Sequence, residues 1–408
     1  MMLALLLGGT TIARVEAYFV KKKGINCHVP SFSKASAAQS FLKASASNAN
    51  SDYYQEDLYG AIHRKEQEML QRKKQIKDKA NDPIQMAIRY AQSTPPRLRL
   101  AKALRRIYED PDYEEDDEKW QSSIKEKELE RGSLPMRRGC FVVDIKRKSL
   151  LTHPPPHRAS KGAHADYGFA RFDDASMVAE AMVLMGADCV FINVDQEAYG
   201  GNYDELRPAV QAVRKASPTA AVVMKDIVVD ELQIGLAKNA GADGILLIAA
   251  VLGPALPNFL DLCTVVGIEA IVEVHTKNEV EAALQAMAQN LLVTNFDRIS
   301  GTYYPQQAER LVSLFPGSGP IVALACGGIE SPEQIRELLC AGYDGVVVGK
   351  AIMGNARAPS LIKAVRDRPL LPAEFAGWGL DDPDVDMQGT FTTTTTTAST
   401  IITSKEEP

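Results

Sequence analysis

The segment GADGILLI, at residues 241–248, decides the fold of this chain. Gly241 follows a stretch of helix-forming residues, and glycine is typical of the position after a helix, where the backbone turns left-handed. The run Gly244–Ile248 is continuously apolar, as a strand covered on both faces of a sheet must be. The segment therefore predicts a helix that ends directly before a buried parallel strand.

The same pattern recurs on both sides of this segment. Gly186-Ala187-Asp188 and the sequence from Ala341 to Gly345 also separate a helical stretch from an apolar run. Eight runs are predicted as strands: Cys140–Ile145, Cys189–Val194, Ala221–Met224, Gly244–Ile248, Ala270–Val274, Leu291–Val293, Ile321–Leu324 and Gly345–Val348. Eight strand–helix units in roughly 230 residues predict the α/β class and a (β/α)8 TIM barrel. A doubly wound open sheet is the alternative, although no GxGxxG follows the first strand.

The barrel is predicted at residues 136–372 as the catalytic domain, and three further regions surround it. Residues 1–51 are predicted to be a targeting peptide without structure. Residues 52–135 are predicted to be a helical N-terminal extension, with helices near 61–73, 84–91 and 98–108 and an acidic linker at 109–117. Residues 373–408 form a predicted disordered tail that contains an unbroken run of threonines.

Composition excludes several classes of protein. Of the 408 residues, 45% are hydrophobic and 24% are charged, which is close to the globular average. The net charge of -6 gives no electrostatic reason to expect nucleic acid as a partner. The six cysteines form no CxxC pair and the histidines show no metal-ligand spacing, so we expect buried free cysteines, no metal and no cofactor. The oligomeric state is left open.

The N-terminal residues have the pattern of a targeting peptide. The apolar run Leu3–Leu7 is too short to span a bilayer, and a small-x-small pattern at 15–17 is suited to cleavage. A basic, serine-rich stretch with no acidic residue follows. This order resembles the bipartite plastid-targeting peptides of algae with secondary plastids. We therefore expect a plastid location, with the cytoplasm as the alternative, and no membrane attachment of the mature protein.

Charged residues stand at the ends of several predicted strands. In a (β/α)8 barrel the active site lies at the carboxyl ends of the strands. Lys146 follows strand 1, Lys225 follows strand 3, and Glu273 lies within strand 5. An ammonium can protonate a developing alkoxide or a leaving hydroxyl, and a carboxylate can take up a proton. These residues predict carbonyl chemistry, with neighbouring positive charge lowering a lysine pKa; the alternative is a salt-bridge cluster that closes the barrel.

Glycines follow the last two predicted strands. Gly327 and Gly328 come after strand 7, and Gly349 precedes Lys350 after strand 8. Backbone N–H groups at these turns commonly bind phosphate in such barrels, and glycine permits close approach. The pattern predicts a small phosphorylated substrate, with ordinary tight turns as the alternative.

Several of these segments together resemble one enzyme family. The carrying motifs are Asp144-Ile145-Lys146-Arg147 with Ser160-Lys161-Gly162, Lys225-Asp226-Ile227, Gly241–Ile248, Ile271-Val272-Glu273-Val274-His275 and Tyr199-Gly200-Gly201. They resemble the indole-3-glycerol phosphate synthase family of tryptophan biosynthesis, over about residues 58–370. The resemblance implies a carboxy-lyase that closes a ring, decarboxylates and dehydrates 1-(2-carboxyphenylamino)-1-deoxyribulose 5-phosphate.

The resemblance also assigns roles to individual residues. Lys225 would be the general acid and Glu273 the general base. Lys146 would bind the substrate carboxylate or phosphate and assist proton transfer. Asp144 would stand for a supporting glutamate of the family. Ser160, Asn295, Gly327, Gly328, Gly349 and Lys350 would bind the substrate or its phosphate.

The sequence departs from the family in the residues that hold the substrate. Thr294-Asn295-Phe296 stands where the family has Asn-Asn-Arg, and Arg298 is two residues away from the lost arginine. Cys326-Gly327-Gly328-Ile329 stands where the family has Glu-Ser-Gly-Ile, and residues 150–159 are an insertion. The alternatives to a working synthase are therefore a phosphate-binding barrel with a different reaction and a catalytically silent homologue.

Overall fold

Eight parallel strands form a closed barrel. The computed structural model describes residues 57–94, 96–105, 139–149, 170–315, 321–353 and 361–362. Each strand pairs with the next in sequence and the eighth pairs with the first. The strands are β1 Cys140–Ile145, β2 Cys189–Asn193, β3 Ala221–Lys225, β4 Gly244–Ile248, β5 Glu269–Val274, β6 Asn290–Thr294, β7 Val322–Cys326 and β8 Gly345–Val348. The predicted (β/α)8 barrel is confirmed, and each predicted strand lies within two residues of the observed one.

Helices precede the barrel and connect its strands. They are α1 Leu58–Gln75, α2 Pro83–Ser93, α3 Arg99–Leu104, α4 Ala175–Met185, α5 Gln196–Tyr199, α6 Leu206–Ala216, α7 Glu231–Ala240, α8 Ala249–Leu252, α9 Leu256–Val266, α10 Lys277–Gln285, α11 Gln307–Leu311, α12 Pro332–Cys340 and α13 Lys350–Met353. Gly186 and Gly241 end α4 and α7 in the left-handed conformation, as the sequence predicted. The predicted targeting peptide, acidic linker and threonine-rich tail lie outside the described residues.

Strand residues alternate between two apolar layers. In β1, Phe141 and Val143 belong to the cluster between strands and outer helices, whereas Val142 belongs to the cluster inside the barrel. The same alternation holds in β3, where Val223 points inward. Both faces of each strand are therefore buried, which is why the runs read as continuously apolar in the sequence. The alternation also fixes which residue at each strand end faces the barrel mouth.

A short helix of the N-terminal extension closes the bottom of the barrel. Leu100 and Leu104 of α3 belong to the same apolar cluster as the inward strand residues. A Cβ at Gly244 would lie 2.5 Å from Leu100 Cδ2, so the absence of a side chain there makes room for the helix. The helix start is held by Glu269, whose carboxylate accepts from Leu100 N at 2.8 Å and from Ala101 N at 2.9 Å. The extension is thus part of the barrel core.

The other two helices of the extension pack along the outside of the barrel. Helix α2 contacts α7, where a Cβ at Gly235 would lie 2.6 Å from Ile84 N. Helix α1 begins at Asp57, which caps Gly60 N at 2.7 Å. The first two helices predicted from sequence are therefore present. The third is observed at Arg99–Leu104, and residues 106–108 of the predicted range lie outside the described part.

One stretch of the barrel has the length and composition of a membrane span. Residues Ala249–Val266 have a mean hydropathy of 1.5 over 18 residues. A 3-10 turn at Gly253–Ala255 divides the stretch into α8 and α9, and these helices pack against β4 and β5. Apolar core helices of globular proteins have the same composition, so we assign the stretch to the outer helical layer.

The buried carboxylate of Glu269 makes the stability of the folded protein depend on pH. Burial raises the pKa of Glu269 from 4.5 to about 7, against the two backbone N–H groups that lower it. Between these values the folded protein binds the proton more tightly than the unfolded chain, so this residue makes stability fall as pH rises. Urea unfolding measures the free energy of unfolding of both proteins. From pH 4.5 to pH 8 we expect the value for Glu269→Gln to rise by about 2–3 kcal/mol relative to that of wild type. Parallel stability curves for the two proteins would contradict the assignment.

Candidate active site

The carboxyl ends of the strands bring together the four residues predicted to be catalytic. Asp144, Lys146, Lys225 and Glu273 are each at most 8% exposed. Strand alternation explains the arrangement: Lys225 lies two residues after the inward-facing Val223 and therefore also points into the barrel. Asp144 and Glu273 stand in the same relation to inward residues of β1 and β5. The four side chains form the uppermost inner layer of the barrel.

Asp144 connects the two lysines. Its Oδ2 lies 2.8 Å from Lys146 Nζ and 2.9 Å from Lys225 Nζ. Its Oδ1 accepts a hydrogen bond from Asn193 Nδ2 at 2.7 Å. Burial alone would raise the pKa of Asp144, but the two ammonium groups hold it well below its ordinary value. Asp144 is therefore a permanent anion at the centre of the cluster.

The two lysines differ in their proton affinity. For Lys146, burial and then repulsion from Lys225 and Arg298 outweigh the attraction of Asp144 and lower its pKa. For Lys225, burial acts in the same direction, but Asp144, Tyr199 and Glu273 raise its pKa above the ordinary value. The predicted lowering of a lysine pKa is therefore found at Lys146, where burial is the largest cause and neighbouring positive charge adds to it, and is wrong for Lys225. The reason is that the attraction of Asp144, Tyr199 and Glu273 for the Lys225 ammonium outweighs burial and the repulsion from Arg298.

A guanidinium occupies the other side of the layer. Arg298 Nε lies 2.5 Å from Glu273 Oε1 and Arg298 Nη2 lies 2.8 Å from Oε2, which is a bidentate pair. Burial would raise the pKa of Glu273, but Arg298 lowers it. Arg298 also donates to Tyr199 Oη at 2.7 Å. Both oxygens of the predicted base are thus engaged by a buried cation.

The structure adds three residues to those predicted. Arg298 was noted in the sequence only as a replacement for a lost arginine, and the loop after β6 brings it to Glu273. The Tyr199 ring centroid lies 5.5 Å from Lys225 Nζ and 5.9 Å from Lys146 Nζ. Asn193 is the last residue of β2 and, by alternation, also points inward. This inward position was the sequence signal that could have identified Asn193.

The charges of the cluster favour an anionic ligand. Three cations (Lys146, Lys225 and Arg298) face two carboxylates (Asp144 and Glu273). All five side chains are buried, so their interactions are only weakly screened by water. Asn193 Oδ1 is buried and without a hydrogen-bond partner in the described part of the chain. A ligand with anionic groups and one donor matches this arrangement.

The predicted phosphate turn after β7 has the expected backbone. Gly327 and Gly328 have φ of +97° and +73°, which side chains other than glycine rarely adopt. Asn295 Nδ2 donates to Gly327 O at 3.0 Å and to Pro305 O at 3.2 Å, and its Oδ1 accepts from Ala308 N at 2.9 Å. All polar atoms of the Asn295 side chain are thus engaged in shaping the turn. The contact of Asn295 with the substrate stays a prediction.

Neighbouring side chains lie close to Gly328 after β7 and to Gly349 after β8. A Cβ at Gly328 would lie 2.0 Å from Tyr303 Oη, because Tyr303 of the β6 loop covers this turn. A Cβ at Gly349 would lie 3.2 Å from both Asp144 Cβ and Lys146 Cε. Lys350 is exposed at the start of α13. The turn after β8 therefore adjoins the charged cluster directly.

Ser160 and the insertion at 150–159 lie outside the described residues. Among the residues that the structure describes, no group of three His, Cys, Asp or Glu side chains could hold a metal ion. None of the described cysteines forms a disulfide bond with another described cysteine, and three of them, Cys140, Cys189 and Cys263, are buried.

The pair between Glu273 and Arg298 should be strongly coupled. Arg298→Met leaves a carboxylate buried without its cation, and we expect a loss of about 3–5 kcal/mol in the free energy of unfolding. Adding Glu273→Gln removes the uncompensated charge, so the double variant should lose less than the sum of the two single variants. Urea unfolding of the four proteins measures this difference. Additive losses would show that the two side chains are independent.

Comparison with known proteins agrees with this geometry. A family model described as indole-3-glycerol phosphate synthase matches residues 162–365, half of the chain. The indole-3-glycerol phosphate synthase of Chloroherpeton thalassium is 30% identical over 239 residues, covering 58% of this chain and 89% of that protein. Indole-3-glycerol phosphate synthase 2 of Streptomyces coelicolor is 35% identical over 239 residues, covering 58% of this chain and 88% of that protein.

A third relative matches a shorter part of the chain. The indole-3-glycerol phosphate synthase of Thermoanaerobacter sp. is 31% identical over 194 residues, covering 47% of this chain and 72% of that protein. The family model begins after β1, so Asp144 and Lys146 lie outside the matched range, and their place beside Lys225 rests on the ion pairs of Asp144. With the barrel, the lysine–carboxylate cluster and these relatives together, the chain belongs to the indole-3-glycerol phosphate synthase family.

Proposed function

We propose that this chain is an indole-3-glycerol-phosphate synthase that acts on 1-(2-carboxyphenylamino)-1-deoxyribulose 5-phosphate. The observation that carries the proposal is the pair of buried lysines on one carboxylate, Asp144, at the mouth of the barrel. The substrate has a carboxylate, a ketone and a phosphate. The three cations and the glycine turns supply a complement for each of these groups.

Ring closure needs a proton donor at the ketone. Lys225 has a raised pKa and therefore carries its proton at neutral pH. As the aromatic carbon attacks the ketone carbon, Lys225 donates that proton to the oxygen, which becomes a hydroxyl group. Loss of CO2 then returns the bonding electrons to the ring. The proton donor must face the ketone from inside the barrel, which is where Lys225 points.

Dehydration needs an acid and a base. A lysine ammonium protonates the hydroxyl, which leaves as water, and a carboxylate takes the proton whose loss completes the indole ring. Glu273 is the base in this proposal. Because Arg298 engages both Glu273 oxygens, Glu273 must first exchange that partner.

The phosphate group is assigned to the turns after β7 and β8. Gly327 and Gly328 have the left-handed backbone that exposes consecutive N–H groups, and Gly349 adjoins Lys146. Cys326 and Gly327 stand where the family has glutamate and serine, so the backbone must supply more of the binding here. These departures, with the engaged Glu273, favour the second candidate function: a phosphate-binding barrel whose reaction is altered or absent.

Complementation distinguishes the two candidates. Residues 52–408 should restore growth of a tryptophan-requiring strain that lacks this enzyme, and the Lys225→Ala variant should not. In purified protein, Lys225→Ala should lower turnover at least about a hundredfold, since a positioned general acid contributes on the order of 10²–10⁴-fold. No growth with well-expressed wild type would favour the second candidate.

Inorganic phosphate separates binding from chemistry. It should compete with the substrate in wild type and still bind to Lys225→Ala, as measured by calorimetry. Gly327→Ala adds a Cβ that would lie 3.0 Å from Asn295 N at a φ of +97°, so it should weaken phosphate binding and raise KM. Unchanged phosphate affinity in Gly327→Ala would contradict the assignment of the turn.

The N-terminal pattern supports a plastid destination, which we propose as the location of this synthase. The apolar run followed by a basic, serine-rich stretch lies at residues 1–51, outside the described part of the chain. Fusion of residues 1–51 to a fluorescent protein in an alga with secondary plastids should direct it to the plastid. Fluorescence confined to the cytoplasm would refute the proposal.

A further inference from the structure

A buried lysine of the N-terminal helix contacts the outside of the barrel beside the candidate active site. Lys65 lies on α1 and is 1% exposed. Its Nζ lies 2.6 Å from Asp195 Oδ2, 3.1 Å from Asp226 Oδ1 and 2.9 Å from Glu68 Oε2. The two aspartates follow the ends of β2 and β3. One side chain of the extension thus connects two neighbouring strand ends.

Asp226 is the residue directly after Lys225. It is fully buried, and it accepts from its own chain at Ile227 N at 2.8 Å and from Gln233 Nε2 at 2.7 Å. Tyr203 donates to the same carboxylate. These contacts hold Asp226 from α7 and from the loop after β2, and Lys65 holds it from α1. The backbone that carries Lys225 is therefore fixed on its outer side by a dense polar network.

Asp195 connects Lys65 to the other half of the site. Its Oδ1 caps α5 by accepting from Ala198 N at 2.6 Å, and α5 ends with Tyr199. Arg64 adds a bidentate contact to Asp195, at 2.9 and 3.1 Å. Tyr199 in turn accepts from Arg298, which holds Glu273. A continuous chain of contacts thus runs from α1 to the predicted base.

A small apolar cluster lies beside these charges. Ala61 of α1 packs with Ala198, Tyr199 and Ile227 in a small apolar cluster beside them. Placing an ammonium and two carboxylates in such surroundings is costly, and similar apolar residues would often be as stable. Stability alone therefore explains this network poorly. The network lies between the end of β3, which carries Lys225, and α5, which carries Tyr199. This position indicates that the network fixes the placement of both side chains.

We propose that Lys65 is a positioning residue of the active site. It draws the ends of β2 and β3 together from outside the barrel, and so sets the distance from Lys225 to Asp144 and the orientation of Tyr199. The inference rests on the proposed function, because its catalytic consequence is the rate of proton donation by Lys225. Helix α1 thus contributes a residue that positions the catalytic groups of the synthase.

Kinetics of Lys65→Met give the first test. A displacement of a catalytic group by about 1 Å costs on the order of 10²-fold, so kcat should fall at least about tenfold with little change in KM. Lys73→Met is the matched control: Lys73 lies on the same helix and pairs with Asp230 at 2.5 Å, but the two side chains are 48% and 23% exposed. The control should keep kcat within about twofold of wild type. Wild-type kcat in folded Lys65→Met would overturn the inference.

A titration of Lys225 gives a readout that does not need turnover. Lysine Cε signals can be followed by carbon-13 NMR, with Lys225→Ala identifying the signal. If Lys225 moves away from Asp144, its pKa falls, whereas simple removal of the Lys65 charge would raise it. The other groups that face Lys225 are unchanged: Lys146, Tyr199, Glu273 and Arg298. A pKa of Lys225 in Lys65→Met equal to or above that of wild type would overturn the inference.

The two proposals can fail separately. Absence of turnover in wild type refutes the proposed function, and the NMR titration then decides the inference alone. If Lys65→Met does not fold, the double variant Lys65→Met/Asp226→Asn removes one cation and one carboxylate and leaves the Arg64–Asp195 pair. The folded double variant should also show the lower kcat and the lower pKa of Lys225. Wild-type values of both in that protein would equally overturn the inference.

Discussion

The Asp144 carboxylate shared by two buried ammonium groups is the interaction on which the rest of the site depends. Two lysines at the end of a barrel would repel each other in surroundings that screen charge poorly. Asp144 accepts both at hydrogen-bond distance and is itself oriented by Asn193. Gly349 has no side chain because one would press on Asp144 and Lys146. The neighbouring strands thus contribute to the same constraint.

The N-terminal extension takes part in both ends of the barrel. At the bottom, α3 places Leu100 and Leu104 inside the barrel, and Glu269 caps its start. At the top, α1 places Lys65 between the carboxylates that follow β2 and β3. This barrel has polar strand ends at its top and an apolar core that is open at its bottom. The extension supplies ion pairs at the top and apolar side chains at the bottom.

The departures from the family are concentrated on the side of the barrel formed by β6 and β7. Arg298 reaches Glu273 from the loop after β6, although the family's arginine lies two residues earlier in the sequence. The loop makes this possible by folding back on itself, with Phe296 paired to Tyr303. Tyr303 then covers the Gly327–Gly328 turn, where a side chain at Gly328 would collide with it. The changed loop after β6 is thus accompanied by a residue without a side chain, Gly328, in the turn after β7.

The sequence by itself determined the barrel, because both faces of each strand are buried and the apolar runs therefore stand out between helix-ending glycines. It also identified Lys146, Lys225 and Glu273, since charge at the end of a buried strand is costly without a purpose. It could not show that Glu273 is paired with Arg298, or that the pKa of Lys225 is raised, because both follow from contacts between distant segments. Only the tertiary structure decided that Lys65, some 160 residues before Asp226, lies beside the site. Ion pairs of this kind carry no periodic signal, and they exist only once the helix has packed on the barrel.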